Sequence, residues 1–248
     1  MLRYVLASAL VLGMAAPSGA QTPQPPWTGD NLQYFPNDIS RPRLVQRMRE
    51  FSFALGVRCQ YCHAGGDGVS FEGVSFASDD KVAKVKARAM LRMVDQLNDV
   101  ILAQLPSRAE PRVVVGCATC HHGLALPKSL QTTMIETIEA QGVPAAIAKY
   151  RELRQEALLG RYDFGQWEIN EAARRLDEAG KSEAAIAIVE MNGEFFPESA
   201  AIDILIADLH RRNGDTDQAI RRYRAALAKS PDNSVAKQRL AELEKKPQ

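Results

Sequence analysis

The chain has 248 residues, with 31 Lys and Arg against 30 Asp and Glu, 46% hydrophobic residues and 25% charged ones. These proportions suit one large or two small globular domains, and a formal charge of +1 gives no footing for counterion-driven binding, so no nucleic acid is expected as a partner. Four cysteines are too few for a disulfide-dense miniprotein, so their placement matters more than their number.

Met1–Arg3 give a positive start, Tyr4–Ala16 form an apolar run broken only by Ser8 and Gly13, and Ser18-Gly19-Ala20 supplies small residues for cleavage. Residues 1–20 are therefore expected to be a signal peptide with Gln21 as the new N-terminus. The apolar run is short for a retained membrane anchor. Without the signal segment the chain has 30 basic and 30 acidic residues. The expected location is the bacterial periplasm, with the exported protein soluble or peripheral to the membrane. Residues 21–36 (QTPQPPWTGDNLQYFP) hold four prolines and read as an extended, poorly ordered lead-in.

A first helix is predicted from Ser40, with Pro42 in its opening turn and Gly56 as its stop. Leu44, Met48, Phe51 and Leu55 share one face at helical spacing. A second helix is predicted to open at Ser78, where Asp79 and Asp80 suit the positive end of the dipole, and to run to Leu105 before Pro106. Ala83, Met90, Val94, Leu97 and Ile101 share its apolar face, and Met93 lies about 60° to the side. Between the helices, residues 65–77 read as a Gly-rich connection punctuated by Phe71 and Phe76.

All four cysteines fall in two copies of one pattern, Cys59-Gln60-Tyr61-Cys62-His63 and Cys117-Ala118-Thr119-Cys120-His121. This is the c-type haem attachment signature. Two thiols one helical turn apart reach the two vinyl groups of a porphyrin, and the adjacent imidazole then points at the iron. Redox dithiols need no His after the second Cys, and a zinc site built from the cysteine pairs leaves both histidines unexplained. A disulfide inside each pair would close a strained loop. With four His in the chain, chance would place one after both pairs about three times in ten thousand. Two covalently bound haem c groups are expected.

The sixth iron ligands follow by elimination. His63 and His121 are the proximal ligands. His122 adjoins His121 and cannot reach the opposite face of the same porphyrin, so a solvent-facing or propionate-contacting place suits it. His210 has a structural place in the C-terminal repeats. Beyond the signal segment, the methionines are Met48, Met90, Met93, Met134 and Met191. Met48 and Met90 both lie on apolar helix faces ahead of a cysteine pair, and a thioether ligand favours ferrous iron. Core filling is the competing reading. Periodicity does not separate Met90 from Met93.

The run Met48-Arg49-Glu50-Phe51-Ser52-Phe53-Ala54-Leu55-Gly56-Val57-Arg58-Cys59 resembles one unit of the cytochrome subunit of photosynthetic reaction centres and of exported dihaem proteins related to half of it. Phe76-Ala77-Ser78-Asp79 with Ala87-Arg88-Ala89-Met90-Leu91-Arg92-Met93 is similar to the next axial-Met helix, and Cys117 to Gly123 to the closing segment. In that family each unit is a helix carrying an axial Met, a turn and then the attachment segment. The resemblance implies Met48 and Met90 as axial ligands with Met93 as the alternative, because the first Met of the family's Met-x-x-Met is the ligand. It covers residues 37–127. The full subunit has four haems and a further His ligand after the second axial Met; this chain has two motifs, no His in that stretch, and a longer segment between Met90 and Cys117. Electron transfer is implied, and docking to a photosynthetic reaction centre is not.

Further along, Gly180 and Gly214, Ala185 and Ala219, Ile186 and Ile220, and Pro197 and Pro231 repeat at a 34-residue period. That is the tetratricopeptide pattern, with Tyr223 and Ala226 also in place and His210 at the consensus packing Tyr. Ala146-Ile147 with Tyr150 reads as part of a degenerate first repeat, 39 residues before Ala185, and residues 234–245 as a capping helix. The expected fold is mainly α: a small dihaem c-type cytochrome domain (37–127) followed by a tetratricopeptide-like helical solenoid (134–248). The expected function is an electron carrier, not an enzyme, serving redox proteins such as a membrane electron-transfer complex, with a protein partner on the repeats. The rivals are a dihaem peroxidase with one open iron and an interaction module in which haem is a sensor or plug.

Overall fold

A computed structural model describes residues 29–106 and 112–245. The expected signal peptide and residues 21–28 of the lead-in lie outside the described residues. Helix α1 (Arg41–Leu55) starts after an extended Ser40, with proline in its first turn. It ends as predicted at Gly56, whose φ of 66° turns the chain left-handed while Val57 N–H donates to the Ser52 carbonyl at 3.0 Å.

The connection at 65–77 holds a two-stranded antiparallel ribbon, β1 (Ala64–Gly65) with β2 (Val74–Ser75), which the sequence reading did not contain. Strands of two residues show no alternation to read. The loop between them is closed by the Asp67 carboxylate, which accepts N–H bonds from Val69 and Ser70.

Two expectations for the second helix are corrected. Helix α2 spans Val82–Gln96, starting four residues after Ser78, because Asp79 binds Lys84 and Arg88 instead of serving a helix terminus at Ser78. It also does not run unbroken to Leu105. After Gln96 the chain passes through a π turn (Leu97–Ile101) and a 3-10 turn (Leu102–Gln104). Asn98 accounts for the break: its amide donates to the Val94 and Val115 carbonyls at 3.0 and 2.8 Å and accepts from Val115 N–H, drawing the helix into the segment before Cys117. The deepest positions on α2 are Leu91 and Arg88, while Met90 and Ile101 of the expected apolar face are exposed.

The described part of the lead-in is ordered, another correction. Arg88 and Arg92, one turn apart on α2, donate to the carbonyls of Asn31 and Gln33, and Tyr34 donates to Asp95 at 2.8 Å.

The second attachment segment is a single helical turn, α3 (Cys117–His121). Then follow α4 (Leu130–Gln141), α5 (Val143–Gln155), α6 (Gln166–Glu178), α7 (Ser182–Phe195), α8 (Ala200–Arg212), α9 (Thr216–Lys229) and α10 (Ser234–Lys245). Helix α4 begins ahead of the expected Met134, capped by the Ser129 hydroxyl, which accepts from Thr132 N–H. Glycines at 142, 180 and 214, with φ of 86°, 76° and 84°, turn α4 into α5, α6 into α7 and α8 into α9. Ala146, Ala185 and Ala219 are fully buried just after each turn, so small residues there let the paired helices approach. Tyr150 and Tyr223 are likewise buried, and Ala236 of α10 closes the last cluster. His210 keeps the structural place expected of it, its side chain mostly buried and Nδ1 3.6 Å from Asp215.

Arg154 joins α5, the loop before α6 and the end of α7. Its guanidinium lies 4.5 to 5.8 Å from the centroids of four rings, Tyr150, Phe164, Phe195 and Phe196, and donates to the Phe164 carbonyl. Arg154→Ala is expected to cost about 2 kcal/mol in urea denaturation, and Arg154→Lys less, because the ammonium keeps the charge but not the planar stacking.

Candidate haem sites

Both attachment segments form the turn the chemistry needs. In the first, the N–H groups of Cys62 and His63 donate to the Cys59 carbonyl at 3.2 and 3.0 Å. In the second, α3 holds Cys117 and Cys120 one turn apart, and His121 Nδ1–H is 2.8 Å from the Leu124 carbonyl. A backbone acceptor on Nδ1 leaves Nε2 as the coordinating nitrogen and sets the ring's direction.

His63 is positioned differently. Its ring meets Phe76 edge-on at 5.0 Å, and its buried Nδ1 makes no hydrogen bond with a described residue. Burial, then the Lys84 charge, push its pKa below the ordinary histidine value; Arg88 acts in the same sense and the Phe76 backbone opposes them. The neutral imidazole so favoured is the form that binds a metal. Asp79 anchors the surrounding network: its carboxyl is held well below the usual range by the Arg88 hydrogen bond first, then by Asn31 and Lys84.

The four cysteines are free thiols. Burial raises the pKa of Cys62 and Cys117, the opposite of what an activated redox dithiol requires. Among the described residues, no group of three or more His, Cys, Asp and Glu side chains is placed to hold a metal ion. Two thiols and one oriented imidazole in each segment fit covalent haem.

The two segments are brought together by α1, which packs on α3. Gly123 N–H, just past the second motif, donates to the Ala54 carbonyl at 2.9 Å, at the end of the helix that leads into the first. Met48 is half-buried on α1. Met90 and Met93 are 45% and 42% exposed on α2, so burial does not separate them. Met134 and Met191 lie inside the solenoid core. His122 is exposed, with a φ of 48° that ends α3.

Sequence reasoning missed the Asp79–Lys84–Arg88 network beside His63, although Lys84 and Arg88 at i, i+4 behind an acidic residue were a signal. It also missed a cleft of about 290 Å³ where Cys120, His121 and Leu124 meet Lys128, Arg161 and Tyr162 from the solenoid side. A larger groove of about 660 Å³ runs along α6, α8 and α10, lined by Trp167, Arg174, Ile204, Leu205, Arg212 and Val235 among others.

Residues 43–158 match the family described as the photosynthetic reaction centre cytochrome C subunit, and residues 200–243 match the tetratricopeptide repeat. Over 100 residues the chain is 35% identical to cytochrome c-554 of Chloroflexus aurantiacus, covering 37% of this chain and 22% of that protein. Over 99 residues it is 34% identical to ATP synthase subunit b 1 of Roseobacter denitrificans, covering 39% of this chain and 48% of that protein. The chain thus spans less than half the length of either relative. The cytochrome match continues beyond residue 127 through α4 and α5, whose buried side chains belong to the solenoid core. On these matches residues 43–158 are similar to the photosynthetic reaction centre cytochrome C subunit family, whose members hold haem c covalently, and residues 200–243 are similar to the tetratricopeptide repeat.

Proposed function

We propose that the protein is an exported dihaem c-type cytochrome that carries electrons between redox partners and docks through its helical repeats. The observation that carries this reading is the pair of Cys-x-x-Cys-His segments, each folded into one turn and linked through the Gly123–Ala54 hydrogen bond. In this reading Cys59 and Cys62 hold one haem c and Cys117 and Cys120 the other, with His63 and His121 as proximal ligands. Met48 and Met90 would supply the further iron ligands, with Met93 as the alternative to Met90. Bound haem c supplies an iron that alternates between ferric and ferrous states.

The chain's own residues do the rest. The Leu124 carbonyl orients His121, Phe76 packs on His63, and Lys84 and Asp79 tie the start of α2 to the loop that carries Phe76. We assign residues 1–20 to export, 21–36 to the lead-in, 37–127 to the dihaem domain and 134–248 to the repeats, whose groove over Trp167 and Leu205 is the docking surface for a protein partner.

The test is the reduced optical spectrum of the haem-matured protein before and after carbon monoxide, with haem counted in the same sample. Two haems per chain and an unchanged six-coordinate spectrum are expected. A shift worth one haem would reveal an open iron and move the reading to the peroxidase-type alternative.

A further inference from the structure

The two histidines sit in unlike electrostatic surroundings. Beside His63, Lys84 Nζ donates to the carbonyls of Phe76, Ala77 and Ser78 at 2.9, 2.9 and 2.8 Å and lies 3.2 Å from Asp79. Arg88 donates to Asp79 at 2.9 Å and to the Asn31 carbonyl at 3.2 Å. The two cationic side chains are only 12% and 11% exposed, so solvent screens them little. Asp79 is a single negative charge against two positive ones, leaving the cluster with a net positive charge. The Phe76 carbonyl accepts from Lys84 and its backbone also lies near the His63 ring, whose Nδ1 has no well-aligned hydrogen bond among the described residues.

His121, by contrast, shares a short hydrogen bond with the Leu124 carbonyl. An imidazole that donates to a carbonyl is the more basic ligand and favours ferric iron, whereas a neighbouring positive charge favours ferrous iron. Both differences act in the same direction.

We infer that Lys84 and Arg88 make the first attachment site, Cys59–His63, the more oxidising of the two, so that a single electron shared between the sites resides there. The inference rests on the dihaem reading above. It assigns Lys84 and Arg88 as positioning residues for charge, acting across the Phe76 loop without contact to either cysteine pair.

The test is a spectroelectrochemical titration of the full haem-matured chain, with haem content measured on each sample. Two midpoints are expected. Lys84→Gln should lower the upper one alone, reducing the equilibrium preference for the first site about tenfold, which is ~59 mV for a one-electron couple. Asp79→Asn, which removes the counter-charge, should raise that same midpoint, and it carries the test if Lys84→Gln does not fold by far-UV circular dichroism. A shift of the lower midpoint, or an unmoved upper midpoint in a folded variant, overturns the inference. Fewer than two haems per chain in the unmodified protein overturns the dihaem reading itself, and with it any comparison of two sites.

Discussion

Gly56→Ala is expected to unfold the cytochrome part of the chain under conditions where the unmodified protein is stable. A Cβ on Gly56 would lie 2.0 Å from the Gly123 carbonyl oxygen and 2.9 Å from its carbon, both backbone atoms with no side chain to swing aside. The residue also sits at φ of 66°, a conformation that costs a residue with a Cβ about 1 to 2 kcal/mol before any clash. Overpacking adds a similar amount, for a total of about 3 kcal/mol or more. Because Gly123 holds the Ala54 carbonyl, relieving the clash would separate the second attachment segment from the helix leading into the first. Gly180→Ala is the control: its φ is 76°, but open space surrounds the added Cβ, so about 1 kcal/mol is expected. Denaturant titrations of the two variants, followed by circular dichroism, check the difference, and equal losses would refute the close-approach argument.

The second large effect is expected at the thioethers. On the ligation proposed above, Met48→Ala and Met90→Ala should each lower one midpoint potential and open one iron to carbon monoxide, since a thioether ligand favours ferrous iron. Met90 is 45% exposed, so its truncation should change stability little, and a changed spectrum would not arise from unfolding. Met93→Ala is expected to leave both potentials in place. Met134→Ala provides the opposite control: this side chain is fully buried in the solenoid, and its loss should cost about 2 to 5 kcal/mol with no change in potential. A potential that moves with Met93 and not Met90 would reassign the ligand.

Much of this molecule was legible along the chain because the relevant physics is local. Ser40, Pro42 and Gly56 bound a helix by their own backbone preferences, and α1 follows them. The spacing of Cys59, Cys62 and His63, repeated at Cys117, Cys120 and His121, spans one turn wherever it folds. The 34-residue recurrence of Gly180 with Gly214 and Ala185 with Ala219 reports helix pairs that must stack to bury their small residues, and those alanines are fully buried. Contacts between distant residues left no periodic trace. Asp79 reads locally as a helix-starting residue, yet Lys84 and Arg88, five and nine residues ahead, compete for it and the helix starts later. Asn98 reads as one more polar position, and it breaks α2 because Val115, distant in sequence, offers its backbone. The lead-in looks structureless by composition, but its carbonyls meet Arg88 and Arg92 once α2 has formed. Spacing therefore specified the chemistry and the helices, while the charge around His63 and the Gly56–Gly123 approach depended on long-range packing, since electrostatic and steric energies follow distance in space and not order in the chain.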